Sequence, residues 1–410
     1  MNLRRTLHIR LLAIAALAAL CAAGRAQDAR PATAAKAAGQ APVARVPFEM
    51  NGNSIYLQAR VNGSEPRWFV LDTGAGVTVL NATTAESLGL KAGRAGTLRG
   101  AGGVVQSTGI TGLTLDVGGA VLKDVSVTSI PLAQLENAAG RAIDGILGVD
   151  FFRRYVIEID YEARQITAHE PSAYGYAGRG ETLPLTFRDN HPHMRAQVKF
   201  PGRPPLEGDF VIDAGSSMQL TMLPAFTDKN RLRDSVPVAF TAYAHGVGGD
   251  FALPVARAES LRIGGFTVER PVTAFPTAGT FGAEGIAGNI GTAILRRFKV
   301  VFDYSRKRVH LEPSKNFSDP FEFDMSGLGL ASEGPSFSVF KVARVLPGTP
   351  AAEAGLRQGD EILSFGGRPV NGTRLSDLRE QLRRPDRTVS LRVRRGAEEL
   401  DVIIRTRRLV

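Results

Sequence analysis

The strongest constraint on this chain is a motif that occurs twice. In the first copy, residues 69–75, an apolar run leads into an Asp, a small hydroxyl residue and a Gly. In the second copy, residues 210–217, the same apolar run leads into an Asp, a small residue and a Gly. Each copy predicts a strand that delivers a carboxylate into a tight turn, because Gly permits backbone conformations closed to other residues. Any fold for this sequence must therefore contain two equivalent strand-to-turn units.

Further anchors repeat in the same order as the motif. Three pairs of residues recur at a nearly constant separation: Asp72 and Asp213, 141 apart; Gly148 and Gly291, 143 apart; and Asp160 and Asp303, 143 apart. Ordered anchors at a near-constant offset indicate an internal repeat. Because there are two copies rather than many, we predict a bilobal unit, with lobe 1 at residues 46–171 and lobe 2 at residues 181–313.

The residue pattern in both lobes is that of a mainly β protein. Short runs of alternating apolar and polar residues are broken by Gly and Asn, which is typical of strands joined by close turns. In lobe 1 these runs lie at 54–61, 68–71, 111–117 and 121–130. Two short helices are predicted, at 83–88 and 133–138. The 45 Gly and 23 Pro residues agree with a fold rich in turns.

The first 26 residues have the pattern of an export signal. Three Arg residues precede an apolar run at 11–23, and residues 24–26 form a small-x-small cleavage site. Residues 27–45 are Ala-rich without periodicity, which predicts a flexible tether. The apolar run is too short to span a bilayer comfortably, and no later segment qualifies. We therefore expect an exported, periplasmic protein with no integral membrane segment after the signal is removed.

Charge and cysteine content exclude some classes of function. The formal net charge is +10, and removal of the signal with its four Arg residues leaves +6. No basic motif with interleaved aromatic residues occurs, so nucleic acid is not an expected partner. The single cysteine, Cys21, lies in the predicted signal, so the mature chain has no thiol. His191, His193 and His245 lack the spacing of metal ligands, so we expect neither a metal nor another cofactor.

The two motif Asp residues can carry out hydrolysis if the fold brings them together. Two carboxylates about 3 Å apart cannot both ionise, so they share one proton. The charged one removes a proton from water, while the protonated one polarises the carbonyl group that the water attacks. Asp72 and Asp213 are therefore the candidate catalytic residues.

These motifs resemble those of the pepsin–retropepsin family of aspartic proteases, over residues 46–313, and the lobe size is similar to the bacterial retropepsin-like branch. The resemblance also rests on two later motifs that end in Gly, at 146–148 and 289–291. It implies two acid-protease β lobes, a protein or peptide substrate, and loop-supporting residues Thr73, Gly74, Ala75, Ala214, Gly215 and Ser216. It further implies flap hairpins that close over the substrate, with candidate residues Gly102, Gly103, Gly248 and Gly249.

The second copy departs from the family pattern at Ala214. In the family, each lobe supplies a Thr or Ser after the Asp, and the two hydroxyls hydrogen-bond across the two-fold axis. Thr73 is present, but Ala214 has no hydroxyl. The loss of one such hydrogen bond weakens the contact between the loops by about 1 kcal/mol.

The two motifs also differ one position further on, where lobe 2 has Ser216 and lobe 1 has Ala75. A Ser hydroxyl can donate to the Asp213 carboxylate and favour its charged form, whereas the Ala methyl offers nothing. We therefore expect the shared proton on Asp72 and the role of base for Asp213.

The C-terminal section, residues 326–410, follows a polar stretch at 313–325 that is predicted to be a linker. The section resembles a PDZ domain, a small α+β module that binds peptide C-termini. The match lies in residues 350–356 and 359–363 and in a predicted helix at 375–383. The resemblance implies that a peptide carboxylate binds the backbone N–H groups of Gly327, Leu328, Gly329 and Leu330.

The sequence thus predicts an exported, monomeric, bilobal aspartic endopeptidase whose PDZ domain recruits or positions protein substrates. A second hypothesis, which Ala214 favours, is a catalytically inactive peptide-binding protein that retains the protease fold. A third is an envelope scaffold that acts only through the PDZ domain. A Ser/His/Asp triad can be drawn from Ser216, but no nucleophile-elbow motif surrounds that residue.

Overall fold

A computed structural model describes residues 41–277 and 285–410. The predicted export signal, residues 1–26, and most of the predicted tether, residues 27–45, lie outside the described residues. The end of that tether was predicted wrongly, because residues 44 and 45 already belong to a strand, β1 (Ala44–Pro47). β1 pairs antiparallel with the strand at Gln165–His169. Its alternate residues, Ala44 and Val46, are buried in the core.

Lobe 1 consists mostly of strands. After β1 its elements are β2 (Glu49–Asn51), β3 (Ser54–Val61), β4 (Arg67–Leu71), β5 (Val79–Asn81), α1 (Ala82–Ser87), β6 (Ala95–Gly100), β7 (Gly103–Val117), β8 (Ala120–Ile130), α2 (Ala133–Ala139), β9 (Gly145–Leu147), α3 (Val149–Arg154), β10 (Val156–Asp160) and β11 (Gln165–His169). Both predicted helices are present. α1 begins after Asn81, whose side chain accepts from the Thr83 N–H, and α2 ends at Gly140 with a φ of 74°.

Lobe 2 follows a single 3₁₀ turn at Pro171–Ala173. Its elements are β12 (Glu181–Pro184), β13 (Thr186–Arg188), β14 (His191–Lys199), β15 (Leu206–Asp213), β16 (Leu220–Met222), α4 (Pro224–Lys229), β17 (Phe240–Gly246), β18 (Gly249–Arg257), β19 (Ser260–Ile263), β20 (Phe266–Glu269), β21 (Val272–Ala274), β22 (Ile286–Gly291), α5 (Thr292–Leu295), β23 (Phe298–Asp303) and β24 (Arg308–Pro313). The order of its strands parallels that of lobe 1.

The C-terminal unit is a small α+β fold with its own hydrophobic core. Its elements are β25 (Leu328–Glu333), β26 (Val339–Val345), α6 (Pro350–Glu353), β27 (Glu361–Phe365), β28 (Arg368–Pro369), α7 (Leu375–Gln381), β29 (Thr388–Arg395) and β30 (Glu398–Arg405). The helix predicted near 375–383 is present as α7. As its spacing predicts, Leu375, Leu378 and Leu382 are all buried. The strands form one sheet in the order β25-β26-β27-β29-β30, with β28 on β27, so β25 lies at an edge.

The two lobes repeat the same pairing around their motif strands. β4 runs parallel to β9, and β15 runs parallel to β22. β5 and β16 are then antiparallel to β9 and β22, and parallel to β8 and β21. The described chain is therefore mainly β, and the duplication that the sequence anchors indicated reappears in the strand pairing.

A six-stranded antiparallel sheet joins the lobes in the order β1-β11-β10-β23-β24-β12, three strands from each lobe. The lobes meet where β10 pairs with β23. Beside this junction, the ring of Phe152 in α3 lies 5.5 Å from the ring of Phe302 and 5.5 Å from that of Tyr304, both in lobe 2. One hydrophobic core runs through both lobes. Packing therefore fixes the position of one motif turn relative to the other.

The stretch at 313–325 was predicted to be a linker. It does connect lobe 2 to the C-terminal unit, but it is packed rather than loose. Phe321 is buried in the core that the lobes share, and the guanidinium carbon of Arg297 lies 3.6 Å from the centre of its ring. Arg297 also donates to the carbonyls of Asn316 and Phe317, at 3.1 and 3.0 Å. The segment that leads to the C-terminal unit is therefore packed against lobe 2.

Candidate active site

Each motif Asp lies at the end of a buried strand. Phe69 and Leu71 of β4 are fully buried, and the Asp72 N–H donates to the Leu147 carbonyl of β9 at 3.0 Å. In lobe 2, Asp213 is the last residue of β15, and β22 lies beside it as β9 lies beside β4. Both turns are therefore held from behind by a parallel strand of their own lobe.

The structure brings the carboxyl groups of Asp72 and Asp213 together, because each lies against the motif glycine of the opposite lobe. Burial raises the pKa of Asp72 well above its usual range, and the adjacent charge of Asp213 raises it further. Such a pair keeps one proton at a pH where an isolated Asp has lost it. The arrangement can hold one neutral and one charged carboxyl side by side.

Backbone N–H groups support both carboxylates. The Gly74 N–H donates to the Asp72 carboxylate at 2.7 Å, and the Gly215 N–H donates to the Asp213 carboxylate at 2.8 Å. The Ser216 N–H adds a bond of 3.0 Å to the Asp213 carboxylate, whereas the Ala75 N–H donates to the backbone carbonyl of Asp72 at 3.4 Å. The predicted contact from Ser216 to Asp213 is therefore present, but its donor is the backbone N–H rather than the hydroxyl.

The two motif glycines are required by the opposite lobe. A Cβ added to Gly74 would lie 2.6 Å from the Asp213 Cγ, and one added to Gly215 would lie 2.1 Å from the Asp72 Cγ. Carbon atoms do not approach this closely without displacement. Each Gly therefore makes room for the carboxylate of the other lobe, which is how the two carboxyl groups come within hydrogen-bonding reach.

The hydroxyl exchange across the lobes is present in one direction only. Thr73 donates to the Ile212 carbonyl at 2.6 Å and accepts from the Ala214 N–H at 2.8 Å. Ala214 supplies no equivalent, as its sequence predicted. A different hydroxyl holds the lobe 2 loop, since Thr292 at the start of α5 donates to the Ala214 carbonyl at 2.7 Å.

Both candidate flaps are hairpins, and their tips touch. The tip of the first hairpin lies between Gly100, the last residue of β6, and Gly103, the first residue of β7, which pair with each other. The tip of the second lies between Gly246 of β17 and Gly249 of β18, which pair in the same way. The Gly102 N–H donates to the Val247 carbonyl of the other tip at 2.9 Å. The four predicted flap glycines lie at or beside this contact. A Cβ on Gly102 would lie 2.0 Å from the Gly249 carbonyl oxygen, and one on Gly248 would lie 2.4 Å from the Gly103 carbonyl carbon.

Apolar flap residues pack beside the Asp72 turn. Leu98 and Val105 of the first hairpin and Val247 of the second pack against one buried apolar cluster in lobe 1, as does Ala75. That cluster includes Val70 of β4. The flaps and the candidate catalytic turn therefore share one apolar wall, suited to side chains of a bound peptide.

The loop predicted to bind a peptide carboxylate uses two of its N–H groups within the chain. The Gly327 N–H donates to the Asp324 carboxylate at 2.5 Å, and the Leu328 N–H donates to the Ser326 hydroxyl at 3.0 Å. Gly329 and Leu330 continue into the edge strand β25. In this conformation Gly327 and Leu328 do not present their N–H groups to a ligand.

Lobe 1 covers the groove between β25 and α7. Helix α2 packs against β25, and the Ser332 hydroxyl donates to the Asn137 carbonyl at 3.1 Å. A Cβ on Gly140, the residue that ends α2, would lie 2.7 Å from the Leu375 Cβ at the start of α7. Within the groove, Arg379 donates to the Leu330 carbonyl at 2.5 Å. Helix α2 therefore contacts β25, and Gly140 at its end contacts α7, so both walls of the groove are covered.

The C-terminal unit also contacts the second flap. The guanidinium carbon of Arg344 in β26 lies 3.6 Å from the ring centre of Tyr243 in β17. Arg–aromatic contacts of this kind stabilise by about 0.5–2 kcal/mol. The C-terminal unit thus contacts both helix α2 of lobe 1 and strand β17 of the lobe 2 flap.

Comparison with known proteins agrees with this geometry. Residues 57–151 match the aspartyl protease family model, and residues 341–395 match the PDZ domain model. The chain is therefore similar to aspartyl proteases in lobe 1 and to PDZ domains in its C-terminal unit. It is also 38% identical over 63 residues to serine protease HTRA1 of Xenopus tropicalis, which is 15% of this chain and 13% of that protein. It is 30% identical over 99 residues to a probable CtpA-like serine protease of Staphylococcus aureus, 24% of this chain and 20% of that protein.

The similarity to these serine proteases is limited in extent, since the chain spans a fifth or less of each relative's length. The family models locate the β4 motif in the aspartyl protease region and most of the C-terminal sheet in the PDZ domain. The resemblance that the motifs indicated is therefore confirmed for both regions.

One residue that contacts the dyad was missed by sequence reasoning. The Asn289 amide in β22 donates to the Asp213 carboxylate at 2.6 Å. Its counterpart in lobe 1, Ile146 of β9, cannot donate. The sequence did contain an indication of this contact, because the second copy of the motif has the polar Asn289 where the first copy has the apolar Ile146. The asymmetry of this dyad therefore arises at Asn289 as well as at Ser216.

The described residues contain no group of three or more His, Cys, Asp or Glu side chains that could hold a metal ion. His245 pairs with Asp250 on the second flap at 2.6 Å, and His193 is buried in β14. Across residues 41–277 and 285–410, no helix is long and apolar enough to cross a membrane.

Proposed function

We propose that this protein is an aspartic endopeptidase. The observation that carries the proposal is the carboxyl pair of Asp72 and Asp213, set in two repeated turns where each carboxyl lies against the glycine of the opposite lobe, together with two flap hairpins whose tips touch. The family matches support a peptidase that has a PDZ domain. The aspartic mechanism is the finer statement that we add.

The chemistry follows from the asymmetry of the pair. Asp72 keeps the shared proton, because burial and the neighbouring charge raise its pKa. The amide of Asn289 donates to the Asp213 carboxylate, which accepts this bond with an oxygen lone pair. Asp213 therefore takes the proton of a water held between the carboxyls, while Asp72 donates a hydrogen bond to the scissile carbonyl and polarises it. The water attacks, and a proton passes to the leaving amine.

The relatives named serine proteases suggest a different nucleophile, and the described contacts speak against it. Within residues 41–277 and 285–410, no hydrogen bond joins a serine hydroxyl to a histidine ring. A serine nucleophile needs such a base within reach. Ser216 stands beside Asp213, but its contact with that carboxylate is through the backbone.

The test is cleavage of an unfolded protein such as casein at acidic pH by the purified full chain. We expect Asp72→Asn and Asp213→Asn each to abolish cleavage, whereas Ser216→Ala and the control Asp234→Asn, at an exposed loop residue before β17, retain it. Loss of activity in Ser216→Ala, or equal activity in wild type and both dyad variants, would contradict the proposal.

A second candidate function is a peptide-binding protein without catalysis, favoured by the missing hydroxyl at Ala214. The bond from Thr292 to the Ala214 carbonyl offsets part of that loss. Each carboxyl group also lies against the motif glycine of the opposite lobe, so the pair stays together. These contacts favour a working dyad over an open, inactive cleft.

We also propose that the chain is a monomer and that it is exported to the periplasm. The proposal of export rests on the charged and apolar pattern of residues 1–26. Cell fractionation with mass spectrometry of the mature N-terminus tests export. A periplasmic chain that begins at Gln27 is the expected result, and a cytoplasmic chain that retains Met1 would contradict it. Sedimentation of the same sample tests the monomer.

For the PDZ domain we propose peptide binding in competition with helix α2. The groove between β25 and α7 is in contact with α2, and Arg379 bonds to the edge carbonyl of Leu330 that an added strand would use. A peptide C-terminus must therefore displace α2 and free the N–H groups of Gly327 and Leu328. The contact also braces lobe 1 while the groove is empty of peptide.

Gly140→Ala in the full chain tests this competition, because the new methyl group collides with Leu375. Gly89→Ala is the matched control, since Gly89 follows α1 with a similar φ of 62° and has open space around it. We expect Gly140→Ala to bind a labelled peptide with an apolar free C-terminus at least tenfold more tightly than wild type and the control. Equal affinity in all three proteins, or equal binding of the C-terminally amidated peptide, would contradict the proposal.

A further inference from the structure

Two Asn side chains reach across the lobe interface to the catalytic turns. Asn53 lies in the turn between β2 and β3, and its amide donates to the Ser217 carbonyl at 2.7 Å. Asn190 lies in the turn between β13 and β14, and its amide donates to the Gly76 carbonyl at 3.1 Å. Each Asn therefore bonds to the turn of the lobe to which it does not belong.

The two contacts are equivalent by the internal repeat. Gly76 stands four residues after Asp72, and Ser217 stands four residues after Asp213. The strands that follow the Asn turns, β3 and β14, pair with β4 and β15, which carry the catalytic residues. Each lobe thus uses the hairpin next to its own catalytic strand to hold the partner turn. No sequence motif predicted this reciprocity, because Asn is common in turns for local reasons.

The environment of both residues supports a positioning role. Asn53 is 8% exposed, and the bond to Ser217 satisfies its buried amide nitrogen, while its Oδ1 has no partner among the described residues. Asn190 adopts a φ of 68°, which Asn tolerates better than most residues. The oxygen of its amide accepts from Arg153 of α3 at 2.6 Å, which fixes the orientation of the amide. The Asp189 carbonyl would lie 3.2 Å from a Cβ on Gly76, so the hairpin also packs against the turn.

We infer that Asn53 and Asn190 are paired positioning residues that hold the two catalytic turns in register across the lobe interface. This inference rests on the proposed aspartic mechanism. Thr73 supplies the single hydroxyl exchange between the lobes, and the Asn pair contributes the symmetric contacts that Ala214 cannot supply. A displacement of about 1 Å between reacting groups can reduce catalysis about a hundredfold, so the effect of such contacts is measurable.

Asn53→Ala and Asn190→Gly remove one contact each, and Gly at position 190 accommodates the positive φ without strain. The matched control is Asn62→Gly, at another turn with a φ of 50°, where the side chain accepts from the Thr114 N–H on the surface. We expect each test variant to lower kcat for casein peptides about tenfold with KM within twofold, and the control to match wild type. Unchanged kcat in both test variants overturns the inference.

A purely structural role would change stability without changing the titration of the dyad. We therefore add ¹³C NMR titration of the Asp carboxyls, which requires no activity. As the turns separate, the Asp72 carboxyl should titrate at lower pH than in wild type, and the high-pH limb of the activity profile should move in the same direction. An unchanged titration in well-folded variants overturns the inference. Asn190→Asp, which keeps the backbone preference but lacks the amide donor, replaces Asn190→Gly if that variant fails to fold.

The two proposals fail in distinguishable ways. If wild type itself cleaves nothing, the proposed enzymatic function fails, while the NMR titration still tests the Asn contacts. If wild type cleaves through Asp72 and Asp213 but the Asn variants match it in kcat and titration, only this inference fails.

Discussion

Replacement of Thr73 by Val would remove the hydroxyl that links the two catalytic turns while keeping the side-chain volume. Two buried backbone groups lose their partner: the Ile212 carbonyl, bonded at 2.6 Å, and the Ala214 N–H, bonded at 2.8 Å. A buried polar group left unpaired costs about 1–3 kcal/mol. No cavity forms, so we expect destabilisation of about 2–6 kcal/mol from the two unpaired groups alone.

Amide hydrogen exchange at Ala214 is the assay closest to this change, because that N–H loses its acceptor. A loss of about 2 kcal/mol corresponds to roughly thirtyfold faster exchange through native-state opening. Thr167→Val is the matched control, a buried Thr of β11 for which the described residues show no side-chain hydrogen bond. Exchange at Ala214 that is unchanged in Thr73→Val, or equally faster in the control, would refute the reasoning.

Three further predictions concern the dyad and the flap. The raised pKa of Asp72 means that the folded chain binds a proton that the unfolded chain releases above pH about 4. The unfolding free energy of wild type minus that of Asp72→Asn should therefore fall as pH rises from about 4 in urea titrations; a constant difference contradicts this. Gly215→Ala places a Cβ 2.1 Å from the Asp72 Cγ and should lower kcat at least about a hundredfold, whereas Gly175→Ala, with open space, should match wild type. Arg344→Ala should accelerate hydrogen exchange in β17 around Tyr243, and unchanged exchange there would contradict a brace on the flap.

The fold was largely predictable because its signals are local or repeated. Alternating runs indicated the strands of lobe 1, and the constant offsets indicated a duplication that the parallel pairs β4–β9 and β15–β22 display. Other elements carried no such signal. α3 is too short for a helical period to emerge, and the segment at 313–325 is polar in composition although Phe321 packs in the core. Packing between distant segments decided both cases.

Of the candidate site, the two candidate catalytic Asp residues were predictable from the sequence, but the residues that contact them from other strands were not. Asp72 and Asp213 stand in a repeated motif, so their pairing could be anticipated. Asn289 stands in a motif expected to be apolar, and its bond to Asp213 depends on how β22 lies beside β15. The contact of α2 with the groove of the PDZ domain depends on how the domains pack against each other. The hydrophobic periodicity of a segment does not predict such packing.

The central claim is that Asp72 and Asp213 form a competent dyad despite Ala214. The most direct test is the affinity of the full chain for a statine-type transition-state analogue, measured by calorimetry at acidic pH. A competent dyad binds such an analogue at least about a hundredfold more tightly than a cleft that has lost one carboxylate. We therefore predict that Asp213→Asn weakens binding by that factor or more, while the exposed control Asp234→Asn leaves it unchanged. Equal, weak binding by wild type and Asp213→Asn would contradict the claim and favour the inactive peptide-binding protein.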